Sequence, residues 1–320
     1  MGEPGLRGRT PGVTITVVSL QGDGDISAAL TALKRDGVVV LRGALSPGDV
    51  KHFRDVVSDY HQQFLAGEIQ NYSLDDETAT ELPEVWEDTY TKPRELQSLR
   101  KWNAVGLDAR FIPLVDASPH YELMVALFGT QLTVTKTQFL VVPSGCIESP
   151  YLHTDAGSMA DVIPTEDSAP VMCSIQFFLT DLDQPMMGNF TCVPGSHRIR
   201  FPWEDDNEEH SQIRVGRPQG GDIPQDDRVQ VQVRAGDAAV FLHSLWHGVS
   251  ANESPSDRKS IIYSYARSFV RAYDYEQPPP LVTQHGTERQ RRLFGDLGGW
   301  AYRPGCFYHF SDTIRATLAP

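Results

Sequence analysis

In the stretch YLHTDAGSMADV, residues 151–162, a histidine and an aspartate, His153 and Asp155, stand one residue apart. On a strand, side chains two apart share a face. An imidazole and a carboxylate then converge on one point, either as two ligands of a metal ion or as a hydrogen-bonded pair at a strand end. Ninety-odd residues later, AGDAAVFLHSLWHGVSANESPSDRKSIIYSYAR (235–267) holds His243, His247 and Arg258. An HxD pair with one distant histidine has the composition of a two-histidine, one-carboxylate facial triad, which takes one face of an octahedral metal and leaves the opposite face open. The open positions suit a chelating 2-oxo acid together with O2. The far carboxylate of such an acid needs a buried cation, and Arg258, eleven residues beyond His247, offers a planar fork for it. His243 competes with His247 as third ligand, although the His-Gly junction and the arginine spacing favour His247. Arg267 and Arg271 compete with Arg258 but lie later in the strand, where they suit the wall of a substrate pocket. His197, in PGSH, fits a hydrogen-bonded turn residue better than a ligand.

These residues need strands to hold them. VTITVVSL (13–20) is β-branched and strand-like, and DISAALTALKRDG (25–37) runs from an N-cap-like Asp25 to Gly37 as a helix. VVVLRG (38–43) reads as a buried strand. Ser46 and Pro47 open an amphipathic helix in which Val50, Phe53, Val57, Tyr60 and Phe64 recur at helical spacing. Residues 66–100 are polar and acidic, read as loop and short helix, with an aromatic stripe at Trp86 and Tyr90. HYELMVALFG (120–129) predicts a helix closed by Gly129, and QLTVTKTQFLVVPSG (131–145) a strand ending in a turn. The texture is β from there to about 270, in runs 171–182, 188–197, 229–242 and 259–270. A polar excursion at 204–227 interrupts them. The absence of strand–helix alternation argues against a doubly wound parallel sheet. The expected fold is a mainly β, helix-flanked double-stranded β-helix or jelly roll: a flexible tail at 1–12, then one domain over 13–320 with a C-terminal extension from about 271. The aromatics of that extension fit a lid or a homodimer seam as well as a docked segment.

Composition narrows the function. The 320 residues are 40% hydrophobic, with no apolar run long enough for a membrane span. A net charge of −14 opposes general attraction to nucleic acid or anionic membrane. MGEPGLRGRTPG has no apolar core of a secretory signal, and Cys146, Cys173, Cys192 and Cys306 lack paired spacing, which points to reduced thiols in the cytoplasm. The partner expected is a small molecule.

With DGVVVLRGALSPGDV, HTD, LTDLDQPMMGNFTCVPGSHR and AGDAAVFLHSLWHG with its trailing Arg258 in this order, the chain resembles the phytanoyl-CoA dioxygenase family from about residue 25 to 270. The resemblance implies iron(II) held by His153, Asp155 and His247, with 2-oxoglutarate and O2 as cosubstrates. It assigns the 5-carboxylate of 2-oxoglutarate to Arg258 and places Gln138 and Gln176 at further cosubstrate positions. One departure concerns the position two after the distal histidine, which often carries a hydroxyl and is Val249 here, so that Ser250 or a strand neighbour must substitute. Asp155 stands where halogenating relatives have a small residue, so the resemblance implies hydroxylation, desaturation or ring formation. The expected activity is oxidation of an unactivated C–H bond of a small molecule, most simply hydroxylation in secondary metabolism. Acyl-CoA or amino-acid hydroxylation within the same family, and a non-enzymatic metal-binding jelly roll, are the alternatives.

Overall fold

The computed structural model describes residues 14–20, 23–71, 92–146, 152–155, 170–198, 227–297 and 312–320. The tail 1–12, the Trp86/Tyr90 stripe, nearly all of the 204–227 excursion and the aromatics of GGWAYRPGCFYHF lie outside them. Ten strands and seven helices are named: β1 (Val17–Val18), α1 (Asp23–Asp36), β2 (Val38–Leu41), α2 (Pro47–Leu65), β3 (Leu99–Trp102), α3 (Ala104–Leu107), α4 (His120–Phe128), β4 (Leu132–Val142), β5 (Met172–Phe178), β6 (Phe190–Cys192), β7 (Val229–Gln230), β8 (Ala238–Leu242), β9 (His247–Val249), β10 (Arg258–Arg267), α5 (Pro280–His285), α6 (Glu288–Leu293) and α7 (Asp312–Leu318). A large sheet has the order β1-β2-β8-β5-β10-β4-β3, and a small one the order β7-β6-β9. Among the described residues only the β1–β2 pair is parallel.

The large sheet is two-faced, as strand alternation requires. Phe139 and Val141 of β4, Ile175 and Phe177 of β5, Val240 of β8, and Ile261, Tyr263 and Tyr265 of β10 point to the helices and join the main core. Helix α2 supplies Val50, Phe53, Val56, Val57 and Phe64 to that core. Each fully buried aliphatic or aromatic side chain contributes about 1.5–3 kcal/mol. Ser46 starts α2 by accepting a hydrogen bond from the Asp49 amide at 3.1 Å. Tyr263 and Tyr265 donate their hydroxyls to the carbonyls of Phe111 and Val115, each at 2.6 Å, and so tie β10 to the 3-10 helix Ala109–Asp116. Val282, Leu293, Phe294, Ile314 and Leu318 of the C-terminal segment are buried in the same core.

The other face meets the small sheet. Val38, Val40, Phe178, Ala239 and Phe241 pack there with Phe190, Cys192, Val231, Val233 and Leu245. The chain crosses from one sheet to the other at Gly236–Asp237, which divides the predicted run 229–242 into β7 and β8. Gly236 has φ +97, and a Cβ there would meet the Leu45 carbonyl at 3.0 Å. The buried Asp237 carboxylate accepts the amides of Gly43 and Arg234 at 3.0 and 2.8 Å and pairs with Arg42. The predicted strand 13–20 is reduced to two residues at the sheet edge, where it can pair only with the four-residue β2. Among the described residues, no helix is long and apolar enough to cross a membrane.

Two buried histidines, His120 and His197, make stability depend on pH. His120 donates from Nε2 to the Leu114 carbonyl at 3.0 Å, and His197 does the same to Lys34 at 3.1 Å, the turn role expected of it. Burial pushes both rings down to about 4 from an ordinary 6.5. Below pH 6.5 the unfolded chain takes up protons that the native rings refuse, so their stabilisation is full above 6.5 and is lost as pH falls toward 4. Urea unfolding of wild type and His120→Gln should show a smaller loss in the variant between about pH 6.5 and 4.5, by on the order of 2 kcal/mol. Equal losses would mean that His120 protonates freely in the native state.

Candidate metal centre

The small sheet continues past β9 through an isolated bridge between His153 and His247. The His153 amide donates to the His247 carbonyl at 2.8 Å, and the His247 amide returns the bond at 2.9 Å. Directly paired residues put their side chains on one face, and the two rings lie with centroids 4.5 Å apart. Asp155 follows two residues later. Its Oδ1 is 3.5 Å from His153 Nε2 and 3.8 Å from His247 Nε2. One ligand atom from each of the three residues falls within a 4.8 Å cluster.

His247 is fixed most firmly. Its ring lies 4.7 Å from Phe241 and 5.5 Å from Phe190, and its Nδ1 is 2.8 Å from the Leu245 carbonyl. A carbonyl can only accept, so Nδ1 carries the proton and Nε2 keeps its lone pair for the cluster. Burial, and then the neighbouring His153, push this ring down to about 3, so it stays neutral. Burial alone would raise the Asp155 pKa, but Lys136, His247 and His153 hold the carboxyl well below its usual range. Two imidazoles and one ionised carboxylate on one side of the site form a donor set that fits iron(II) or a similar divalent ion with an open face.

The large sheet presents a polar row to this cluster. The register aligns Val142 with Arg258, Gln138 with Ile262, and Lys136 with Ser264 on β4 and β10; Ser260, Ile262 and Ser264 face Phe178, Gln176 and Ser174 on β5. Arg258 is 1% exposed, with its guanidinium 5.8 Å from the Phe178 ring centre. Gly188, at φ +73, closes over it so tightly that a Cβ would come within 3.4 Å of Arg258 Cβ. Gln176 donates from Nε2 to Ser260 Oγ at 3.1 Å, and Gln138 is buried on the same face. Ser250 Oγ is occupied by the Asn189 amide at 2.9 Å and the Ala251 carbonyl at 3.1 Å. Ser260, two residues from Arg258 on the same face, also bears a hydroxyl there, which accepts from Gln176 Nε2.

His243 stands outside the three-residue cluster, with Nε2 2.9 Å from Ser174 Oγ. Arg267 donates from Nε to the Pro170 carbonyl at 3.3 Å, and Arg271 pairs with Glu276 in the open. Sequence reasoning passed over Lys136, Ser174, Ser260 and Ser264. The signal was present as long or hydroxyl-bearing polar residues on one alternation, Lys136 and Gln138, Ser174 and Gln176, and Arg258, Ser260 and Ser264, broken at Ile262 and accompanied by Thr137 and Lys259 on the other face.

Known proteins resemble the chain in sequence and in fold. An ectoine dioxygenase of Nocardia farcinica is 26% identical over 269 residues, covering 79% of this chain and 83% of that one. The structure of HygX from Streptomyces hygroscopicus with nickel, 2-oxoglutarate and hygromycin B bound shares the fold with a TM-score of 0.53 at 18% identity, covering 77% of this chain and 89% of that one. So does that of the epimerase SnoN in complex with Fe3+, alpha ketoglutarate and nogalamycin RO, with a TM-score of 0.52 at 20% identity and coverage of 77% and 84%. The class is that of the iron(II)- and 2-oxoglutarate-dependent oxygenases. Residues 33–260 match phytanoyl-CoA dioxygenase (PhyH), and the chain belongs to that family.

The His247 geometry is open to a direct check. In the metal-free protein, long-range 15N–1H NMR should find the neutral ring protonated at Nδ1, with Nε2 bare, down to about pH 4. A proton on Nε2 would turn the lone pair toward Leu245 and remove this ring from the donor set.

Proposed function

We propose that the chain folds as a double-stranded β-helix in one oxygenase domain, C-terminal segment included, and hydroxylates an unactivated C–H bond of a small molecule in secondary metabolism. His153, Asp155 and His247 hold iron(II), while Arg258 receives the 5-carboxylate of 2-oxoglutarate with Ser260, Gln176 and Gln138 beside it. The observation that carries this is the His153–His247 bridge with Asp155 at its end, set opposite the polar row of the large sheet. Iron(II), 2-oxoglutarate and O2 supply the oxidising power, with succinate and CO2 as the cosubstrate's products. The protein's own residues orient and exclude water. The Leu245 carbonyl keeps His247 Nε2 aimed at the metal, Phe190 and Phe241 dry its flank, and the buried guanidinium of Arg258 aligns the cosubstrate along β10. Among the relatives one is an ectoine dioxygenase and two bind hygromycin B or nogalamycin RO, which supports a small-molecule substrate without choosing among them.

Metal stoichiometry tests the ligands. Wild type and His243→Ala should each bind one equivalent of iron(II) or nickel by calorimetry, whereas Asp155→Ala and His247→Ala should lose binding by at least about a hundredfold with an unchanged circular dichroism spectrum. Retention by His247→Ala with loss in His243→Ala would exchange the two histidines.

Arg258 is tested through the cosubstrate. Truncating one partner of a desolvated, doubly hydrogen-bonded charge pair costs about 2–5 kcal/mol, which is roughly thirty-fold to several-thousand-fold in affinity. Arg258→Ala should raise the 2-oxoglutarate requirement for succinate formation by such a factor while metal binding persists, and a 2-oxo acid without the distal carboxylate should lose far less. An unchanged requirement would reassign the clamp.

A further inference from the structure

We propose that Lys136, with Ser264, Ser174 and His243, forms an anion-receiving corner beside Asp155, and that the substrate presents a carboxylate or similar anionic group to it. This rests on the metal centre proposed above and names the substrate class for it. Lys136 lies on the pocket face of β4, opposite Ser264 in the register. Its side chain is 15% exposed, and its Nζ is 3.7 Å from Asp155 Oδ2. The two oxygens of Asp155 thus have different neighbours: Oδ1 faces the paired histidines and Oδ2 faces the lysine. Ser264 Oγ is 2.8 Å from Ser174 Oγ, which in turn is 2.9 Å from His243 Nε2. His243 Nδ1 is buried and meets no hydrogen-bond partner among the described residues. A lysine, a bonded pair of hydroxyls and an imidazole with one buried, unmatched nitrogen line this corner.

Charge balance shows what the corner lacks. In the loaded site, the divalent ion and Arg258 are neutralised by Asp155 and the two carboxylates of 2-oxoglutarate. Lys136 is the cation outside that count, in a largely desolvated place where a further anion can pair with it directly. Asp274, the other carboxyl that acts on this lysine, makes no direct pair with it: its Oδ2 accepts the amides of Asn103 and Thr137 at 2.8 and 2.9 Å, and burial raises its pKa to about 6. Position separates the corner from the cosubstrate clamp. Arg258 and Ser264 are six residues apart on one strand, about 20 Å at roughly 3.3 Å per residue. A 2-oxoglutarate held by Arg258 would end at the metal, on the Oδ1 side of Asp155, whereas Lys136 lies on the Oδ2 side.

The test is binding, with nickel in place of iron and no turnover. The nickel- and 2-oxoglutarate-loaded protein is titrated calorimetrically with acetate, butyrate and benzoate, each against its neutral amide. Wild type should bind at least one acid about tenfold or more tightly than its amide. Lys136→Met should abolish that preference and Lys136→Arg should keep it, each compared at saturating nickel and 2-oxoglutarate. No acid preference in wild type, or a preference that survives in Lys136→Met, overturns the inference, the latter placing the anion on the metal itself. A Lys136→Met protein that loses 2-oxoglutarate instead makes this lysine the cosubstrate clamp and equally overturns it. Failure of wild type to take up nickel and 2-oxoglutarate would sink the metal-centre proposal, and this inference with it.

Discussion

The pair of backbone hydrogen bonds between His153 and His247 is the constraint on which the site depends. Each residue has a different origin, one in a short segment before β5 and the other at the start of β9, and no side-chain contact alone would fix their distance. The bridge does so through the backbone, because residues directly opposite in an antiparallel pair must present their side chains to the same side. Asp155 inherits its position from the same segment. The cost of gathering two imidazoles and a carboxylate is therefore carried by sheet formation, before any ion arrives.

The large sheet supplies the other half by being unlike on its two faces. Its helix side is mostly hydrocarbon and aromatic ring from Phe139 to Tyr265, with Thr137 and Lys259 bonded to the helices they face. Its inner side alternates apolar patches that seal against the small sheet, such as Phe178 and Phe241, with the polar row from Arg258 to Lys136. A buried row of this kind is expensive unless its groups find partners. Several do so among themselves, as with Gln176 and Ser260 or Ser174 and Ser264. The rest of the fold, with α2 and the C-terminal helices, holds the hydrocarbon side rigid so that the polar side can remain open to ligands.

How far the sequence foretold this differs by element. The capped helix from Ser46, the helix closed by Gly129, and the strands β4, β5 and β10 follow from periodicity and turn chemistry. His153, Asp155, His247 and Arg258 were visible as residue types in a recognisable order. The pocket neighbours Lys136, Ser174 and Ser264 were hidden because a single polar residue in a strand reads as solvent-facing when only one sheet face is imagined to be buried. Both faces are buried here, which reverses the meaning of the alternation: the polar positions mark the inside of a site. The helical turn at 104–107 and the 3-10 helix at 109–116 escaped notice for a different reason, since runs this short carry too few periods to read. The strand at 13–20 was overextended, because β-branched composition speaks to fit on a sheet and says nothing about how much neighbouring strand is present to pair with.

Strand β10 also acts as a ruler. Reading inward along one face, it bears Arg258, Ser260, Ile262 and Ser264, and the chemistry changes in that order from cation to hydroxyl, to an apolar midpoint, and back to hydroxyl beside Lys136. The metal donors lie across from this row on the small sheet, with Asp155 reaching toward the Lys136 end. A cosubstrate anchored at Arg258 and a substrate anchored near Lys136 would approach the metal from opposite ends of one strand. Their separation is then set by the strand's fixed rise per residue and not by mobile loops. The same regularity that makes the core stable would then set the distance between the two reactants, and a change in register of β10 against β4 would shift Arg258 relative to Lys136, which stands on β4, while leaving every metal donor in place.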